Sequence, residues 1–138
     1  MGRWSTTGID EIALSFSEIA GMGDEVLDEM LLAQGEIIKA EQQKQAKAML
    51  QGPYYADGVA QGVSLGKVKR TSDGAEVYLT FKGTQHGNRL AEIAFVNEYG
   101  KEGQPARPFV KTANEAAGER AVAASEEIYH RYLQRKGL

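Results

Sequence analysis

The chain has 138 residues, no cysteine and a formal net charge of −3, which together predict a single domain over residues 1–138 without disulfides or cysteine-based zinc sites. Because no stretch approaches the roughly 20 apolar residues of a membrane span and the N-terminus lacks an apolar signal core, we expect a soluble intracellular protein. A net-acidic chain without a basic patch also argues against binding to duplex DNA, which requires the neutralisation of many phosphates.

The first 22 residues predict a flexible arm followed by a short helix. Residues 1–7 are mostly polar, and chain termini are usually mobile unless something docks them. Trp4 is the exception, either an anchor on this domain or a contact made in an assembly. A short helix is predicted over residues 9–19, where apolar residues recur at spacings of four and three: Ile12, Phe16 and Ile19.

The longest segment with helical periodicity runs from Asp24 to about Leu50. Its first half is amphipathic, whereas residues 41–45 are polar on nearly all sides, which a helix tolerates when it projects beyond the core or meets a partner. Gly35 within the apolar stripe indicates either the close approach of another backbone or a bend.

Residues 52–65 are rich in glycine and contain the adjacent tyrosines Tyr54 and Tyr55. We expect a loop that folds against the sheet. Tyrosine rings stack on nucleobases, but they suit protein interfaces equally well. Because no basic residue lies nearby, the pair favours a protein contact over nucleic acid.

The central region predicts three strands, at residues 65–70, 75–82 and 89–97. The first two are joined at Ser72-Asp73-Gly74, a strong hairpin signal. Residues 83–89 are polar and predict a second loop. The third strand is apolar on both faces, which places it inside the sheet.

Residues 97–112 connect this sheet to the last helix. Gly100 and Gly103 permit unusual backbone angles, Pro105 keeps its predecessor extended, and Pro108 suits the first position of a helix. Apolar residues at helical spacing predict that this helix runs from Pro108 to about Gln134: Val110, Ala113, Ala117, Ala121, Ala124 and Ile128. We expect Phe109 to be a buried anchor at its start.

Segregated rather than alternating elements predict an α+β fold. In this fold a small, mainly antiparallel sheet of three or four strands packs against the long N-terminal helix and the C-terminal helix.

Glu98 is the carboxylate with the clearest candidate role. It lies beside Tyr99 and within reach of Arg107, which predicts a charge-assisted pair that fixes the loop, with general acid–base catalysis as the alternative. If Arg107 serves the fold, its guanidinium pairs with Glu98 or with free carbonyls at a helix C-terminus. If it serves assembly, the guanidinium points outward and binds a carboxylate of a neighbouring subunit.

Glu98-Tyr99-Gly100, a glycine-rich spacer and Pro105-Ala106-Arg107-Pro108-Phe109 resemble the signature of the neck and tail-completion proteins of long-tailed bacteriophages, which are related to minor tail protein Z. Residues 8–12 are similar to the opening segment of that family. The chain departs from the family after the long helix, where Pro53 is followed by Tyr-Tyr-Ala rather than by Thr-Gly-x-Leu.

The resemblance implies a structural virion assembly protein that forms or caps a ring at the head–tail junction. Its implied partners are other neck, head-completion and tail-tube proteins. The implied locations are the host cytoplasm during assembly and then the virion. Because no long apolar surface is visible in the sequence, we expect a monomer or weak oligomer in dilute solution.

Charge is unevenly distributed, with 4 basic and 10 acidic residues in residues 1–58 and 8 basic and 5 acidic in residues 59–111. These opposed regions could orient identical subunits head to tail, although a solvated acidic face explains the same pattern.

Two other functions compete with a structural role. One is a small enzyme or ligand-binding domain with a pocket near Tyr54, Tyr55, His86 and Glu98; the other is a host regulatory binding module. His86 and His130 lack metal-ligand spacing, and neither a serine-nucleophile nor a phosphate-loop motif is present. We therefore expect no catalytic, cofactor or metal site.

Overall fold

The computed structural model describes residues 3–5, 10–15 and 23–137, and of residues 3–5, 10–15 and 53–55 it describes the backbone alone. The helices are α1 (Asp24–Met49), α2 (Pro53–Gly62), α3 (Leu90–Tyr99) and α4 (Phe109–Arg135). The strands are β1 (Arg3–Ser5), β2 (Asp10–Ser15), β3 (Val63–Leu65), β4 (Lys69–Thr71), β5 (Gly74–Phe81), β6 (Thr84–Gln85) and β7 (Asn88–Arg89).

The long helices α1 and α4 pack together, and the sheet lies against them, so the predicted α+β class is confirmed. Ala113, Ala117 and Ala121 of α4 are buried, and their small side chains allow the two helices to lie close together. Polar side chains cross the same interface. Gln34 Nε2 donates to Ser125 Oγ at 2.7 Å, and both residues are fully buried.

Strand β5 is the centre of the main sheet. It pairs antiparallel with β2 on one edge, and with β3 and β4 on the other. Its alternate residues Ala75, Val77 and Leu79 are buried, so one face of the strand packs on the core. The central region supplies β3, β4 and β5 to this sheet, and β1 and β2 extend it to five strands.

Two predictions for the N-terminal residues are wrong. Asp10–Ser15, predicted to lie in a short helix, forms β2, and Arg3–Ser5, predicted to be part of a flexible arm, pairs with β2 as β1. The edge of β5 presents a row of backbone donors and acceptors. Hydrogen bonding to this edge outweighs a helical pattern that consists of only three apolar residues. The roles expected for the Trp4 side chain, Phe16 and Ile19 lie outside the described part of the chain.

The segment predicted as the third strand is mainly helix α3. Its residues are apolar on all sides, a pattern that fits a buried strand and a helix equally well. The spacing of Leu90, Ala94 and Asn97, which are all buried, is that of one helix face.

The predicted loops also contain regular structure. Residues 53–62 form α2, and β6 and β7 form a short hairpin within residues 83–89. His86 and Gly87 in the hairpin turn have φ values of 51° and 79°, as a two-residue primed turn requires. The predicted first strand is divided into β3 and β4 around Gly66.

Phe109 is fully buried at the start of α4, as predicted. Its ring meets Phe81 edge-on, with centroids 5.7 Å apart and ring planes at 70°. The surrounding core contains Leu50 from the end of α1, Val59 from α2 and Leu90 from α3. Phe109 therefore anchors the start of α4 where α1, α2 and α3 converge.

We predict that Phe109→Ala lowers the free energy of unfolding by about 3 to 5 kcal/mol, because it removes a buried ring and leaves a cavity. Chemical denaturation measures this loss. Phe95→Ala is the matched control, since the Phe95 ring is 55% exposed and should contribute much less. Equal losses for the two variants would contradict the anchoring role of Phe109.

Candidate functional site

The candidate site is the junction of residues 97–111, which connects α3 to α4. Gly100 ends α3 with φ at 79°, and a Cβ atom there would lie 2.9 Å from the Ala106 amide nitrogen, so this position requires glycine. Lys101 and Gln104 then exchange backbone hydrogen bonds of 3.0 and 2.9 Å. The loop is thus folded back tightly on the end of α3.

Pro108 redirects the chain into α4. Its φ and ψ of −77° and 69°, with a 2.8 Å hydrogen bond from the Phe109 amide to the Arg107 carbonyl, describe an inverse γ-turn. Pro108 is therefore the residue before the helix rather than its first residue, one position from the predicted start. A proline side chain cannot accept a hydrogen bond, so the first amides of α4 need an acceptor from elsewhere.

Glu98 supplies that acceptor. Its Oε1 accepts the Val110 N–H at 2.7 Å and its Oε2 accepts the Lys111 N–H at 3.2 Å. These are the second and third residues of α4, whose amides an N-cap side chain usually satisfies. The negative charge also lies at the positive end of the helix dipole. Glu98 thus caps α4 from the end of another helix.

Burial raises the pKa of Glu98, while the amide bonds from Val110 and Lys111 and the charge of Lys111 act in the opposite direction. The net shift is upward, because removal of the carboxylate from water outweighs the two hydrogen bonds. The predicted pair with Arg107 is wrong, since both oxygens of Glu98 bind the backbone of α4.

Arg107 instead contacts Asn97. Its backbone N–H donates to the Asn97 carbonyl at 2.6 Å, and its Nη1 donates to Asn97 Oδ1 at 3.4 Å. Asn97 is buried, and its Nδ2 donates to the Ile93 carbonyl at 2.9 Å. Asn97 was not among the predicted site residues. The available signal was an asparagine three residues before a chain reversal at Gly100, where its side chain binds nearby backbone groups.

An open groove of about 600 Å³ lies beside the junction. Its α3 side is lined by Glu92, Ile93 and Val96, and its loop side by Lys101, Pro105 and Arg107. The groove therefore has two cations on its loop side, and on its α3 side two apolar residues beside a carboxylate that is already paired with Arg89 at 3.1 Å.

Phe95 and Tyr99 lie on the neighbouring face of α3, one turn apart. Their side chains are 55% and 46% exposed, and their ring centroids are 4.7 Å apart. We call these two residues the aromatic face.

The predicted site residues thus divide by position. Gly100, Pro108 and Glu98 shape the junction, Phe109 lies in the core, and Tyr99, Pro105 and Arg107 lie at the surface. Tyr54 and Tyr55 begin α2, and their side chains are not described.

The residues expected to line an enzyme pocket have different environments. Glu98 is buried against the amides of α4, and His86 is exposed in the β6–β7 turn. Within residues 3–5, 10–15 and 23–137 no group of three or more His, Asp or Glu side chains could hold a metal ion. No helix in the same part of the chain is long and apolar enough to cross a membrane.

No family model, curated protein or solved structure matches this chain. The resemblance to phage neck proteins therefore rests on the junction motif and stays a prediction.

We predict that Glu98→Ala lowers the free energy of unfolding by about 1 to 3 kcal/mol, because it leaves buried amides of α4 without an acceptor. Glu98→Gln should lose less, since its amide oxygen still accepts one N–H. Glu102→Gln is the matched control on an exposed carboxylate of the same loop and should be close to neutral. Chemical denaturation measures all three.

The stability of the parent relative to Glu98→Gln should depend on pH. Because the folded pKa of Glu98 is raised, the folded state holds the proton more tightly than the unfolded state. The advantage of the parent is then greatest below the unfolded pKa and falls as pH rises through the folded value. Denaturation curves from about pH 4 to pH 8 test this, and an advantage that grows with pH would contradict the raised pKa.

The two partners at the groove should differ in their contribution to stability. Arg107→Ala should cost less than about 1 kcal/mol, because the hydrogen bond from its side chain to Asn97 is long and its side chain is partly exposed. Asn97→Ala should cost about 1 to 3 kcal/mol, because it removes a buried amide that joins Ile93 to the loop. Thermal melts that rank these variants in the opposite order would show that Arg107 serves the fold.

Proposed function

We propose that this chain is a structural virion assembly protein that forms or caps a ring at the head–tail junction of a long-tailed bacteriophage. Its partners would be other neck, head-completion and tail-tube proteins. It would occupy the host cytoplasm during assembly and then the virion.

The proposal is supported by the two different roles of residues in the junction motif: some fix its backbone and others reach the surface. Glu98, Gly100 and Pro108 are committed to its backbone geometry, whereas Tyr99 and Arg107 reach the surface beside an open groove. Exposed aromatic and arginine side chains are the residue types enriched in protein interfaces. Presenting them on a fixed loop suits a contact between proteins.

Deleting the gene from the phage that encodes it tests this proposal. The expected result is an accumulation of separate heads and tails in electron micrographs, with infectivity restored by the intact gene supplied in trans. Complementation with Phe109→Ala, which should disrupt the fold, is the negative control. Normal infectious particles from the deletion strain would overturn the proposed function.

A further inference from the structure

The first half of α1 carries an acidic surface that ion pairs neutralise only in part, and Arg135 and Lys136 line open clefts beside Glu29 and Glu25. Asp24–Glu36 contains five acidic residues and no basic one. Arg70 pairs with Asp24 and Asp28 at 3.5 and 2.8 Å, and Arg131 lies 3.9 Å from Glu29. Glu25 and Glu36 make no ion pair with any residue in the described ranges.

The helix dipole explains only part of this charge. Its favourable effect on acidic side chains fades within the first turn, which includes Glu25 but neither Glu29 nor Glu36. Glu25 and Glu29 are four residues apart, a spacing at which like charges repel on a helix. An approaching cation would relieve that repulsion.

Leu32 lies in the middle of these carboxylates. It is 37% exposed, and Asp28, Glu29 and Glu36 are its neighbours three or four residues away on the helix surface. We call the surface formed by Glu25, Asp28, Glu29, Leu32 and Glu36 the acidic face.

The groove at the junction carries the opposite charge and also has apolar side chains. Lys101 and Arg107 make no ion pair with a carboxylate among the residues that the structure describes. Ile93 and Val96 line the wall opposite them, and the carboxylate of Glu92 on that wall is neutralised by Arg89. The aromatic face of Phe95 and Tyr99 continues this apolar surface around α3. Large exposed apolar side chains that lie next to one another are typical of a contact surface.

The acidic face and the groove are too far apart to contact each other within one chain. Leu90 and Ala94 of α3 belong to the same core cluster as Ala46 and Leu50, which lie at the C-terminal end of α1. Leu32 lies 18 residues before Leu50, which is about 27 Å along the helix. The acidic face and the groove therefore lie toward opposite ends of the long helix.

We propose that these surfaces bind one another between copies of the chain, with the acidic face of α1 in one copy docked on the groove and aromatic face of α3 in the next. Leu32 enters the apolar side of the groove, and the flanking carboxylates meet Lys101 and Arg107. Two different patches make this a heterologous contact, which closes into a ring or continues as a filament. The inference rests on the proposed function, because it assigns the contact by which the ring subunits would associate.

Sedimentation velocity of two variants and their mixture tests the pairing. The parent should self-associate as its concentration rises toward about 1 mM, and Leu32→Asp and Phe95→Asp should each weaken association at least about 30-fold. Each variant retains one intact surface, so an equimolar mixture should form 1:1 dimers and nothing larger. Thermal melts matching the parent confirm that both variants fold, as is expected for exposed positions.

Other outcomes overturn the pairing. A parent that stays monomeric throughout the concentration range, or a mixture that does not form dimers, contradicts it. Leu32→Asp that associates like the parent while Phe95→Asp does not would indicate a symmetric contact between two aromatic faces instead.

Charge reversal tests the electrostatic half of the contact. Lys101→Glu with Arg107→Glu should weaken association at least about tenfold, and the parent should associate less well as salt rises from about 0.05 to about 0.5 M. Lys67→Glu with Lys82→Glu is the control, with the same change in net charge at exposed positions outside both surfaces. Equal losses in the two double variants would overturn the assignment of the cations.

Phage complementation separates this inference from the proposed function. If deletion of the gene blocks the joining of heads to tails but Leu32→Asp and Phe95→Asp restore it, the pairing is wrong and the proposed function stands. If deletion leaves particles intact while the mixture still forms dimers, self-association stands and the proposed function is wrong.

Discussion

The cap that Glu98 places on α4 is the interaction on which the junction depends. Helix α4 is 27 residues long and begins after a proline that has no acceptor for the first amides. Glu98 reaches those amides only because Gly100 lets the chain reverse at the end of α3 and Pro108 turns it into α4. Phe109 then fills the core beneath the turn. Each residue of the motif is thus required by the position of another.

A second constraint fixes how α1 and α4 lie against each other. Alanines permit close approach but distinguish poorly between alternative registers. The buried pairs of Gln34 with Ser125 and of Gln42 with Asn114 supply that distinction, because a shift along the helix would leave buried polar groups without partners. Gln34 Oε1 accepts no hydrogen bond within the described ranges, so this register has an energetic cost.

The sequence predicted the elements whose signals are local and failed where tertiary pairing decides. The long helices, strand β5 and the burial of Phe109 follow from helical period, alternation and the two prolines. Helix α3 was misassigned because its apolar residues surround it, and β2 because its conformation depends on β5, more than 50 residues away in sequence. At the site, the acidic residue at position 98 correctly indicated a charge-assisted interaction, but the sequence did not identify its partner. An acid beside an arginine suggests an ion pair, whereas the geometry of the reversal directs it to backbone amides.

The rigid junction helps to explain how a surface of few side chains could support assembly. Glu98 and Asn97 tie α3 to the loop and to α4, so Phe95, Tyr99 and Arg107 are held by elements already ordered in the monomer. Binding then requires little further ordering of the backbone, which is a major cost of association. One leucine and two aromatic rings still bury a modest area, so a single contact should be weak in dilute solution. In a closed ring every subunit makes two such contacts, and the last one forms within the assembly at high effective concentration. Weak association of free copies and a stable ring in a particle are therefore compatible properties of the same surfaces.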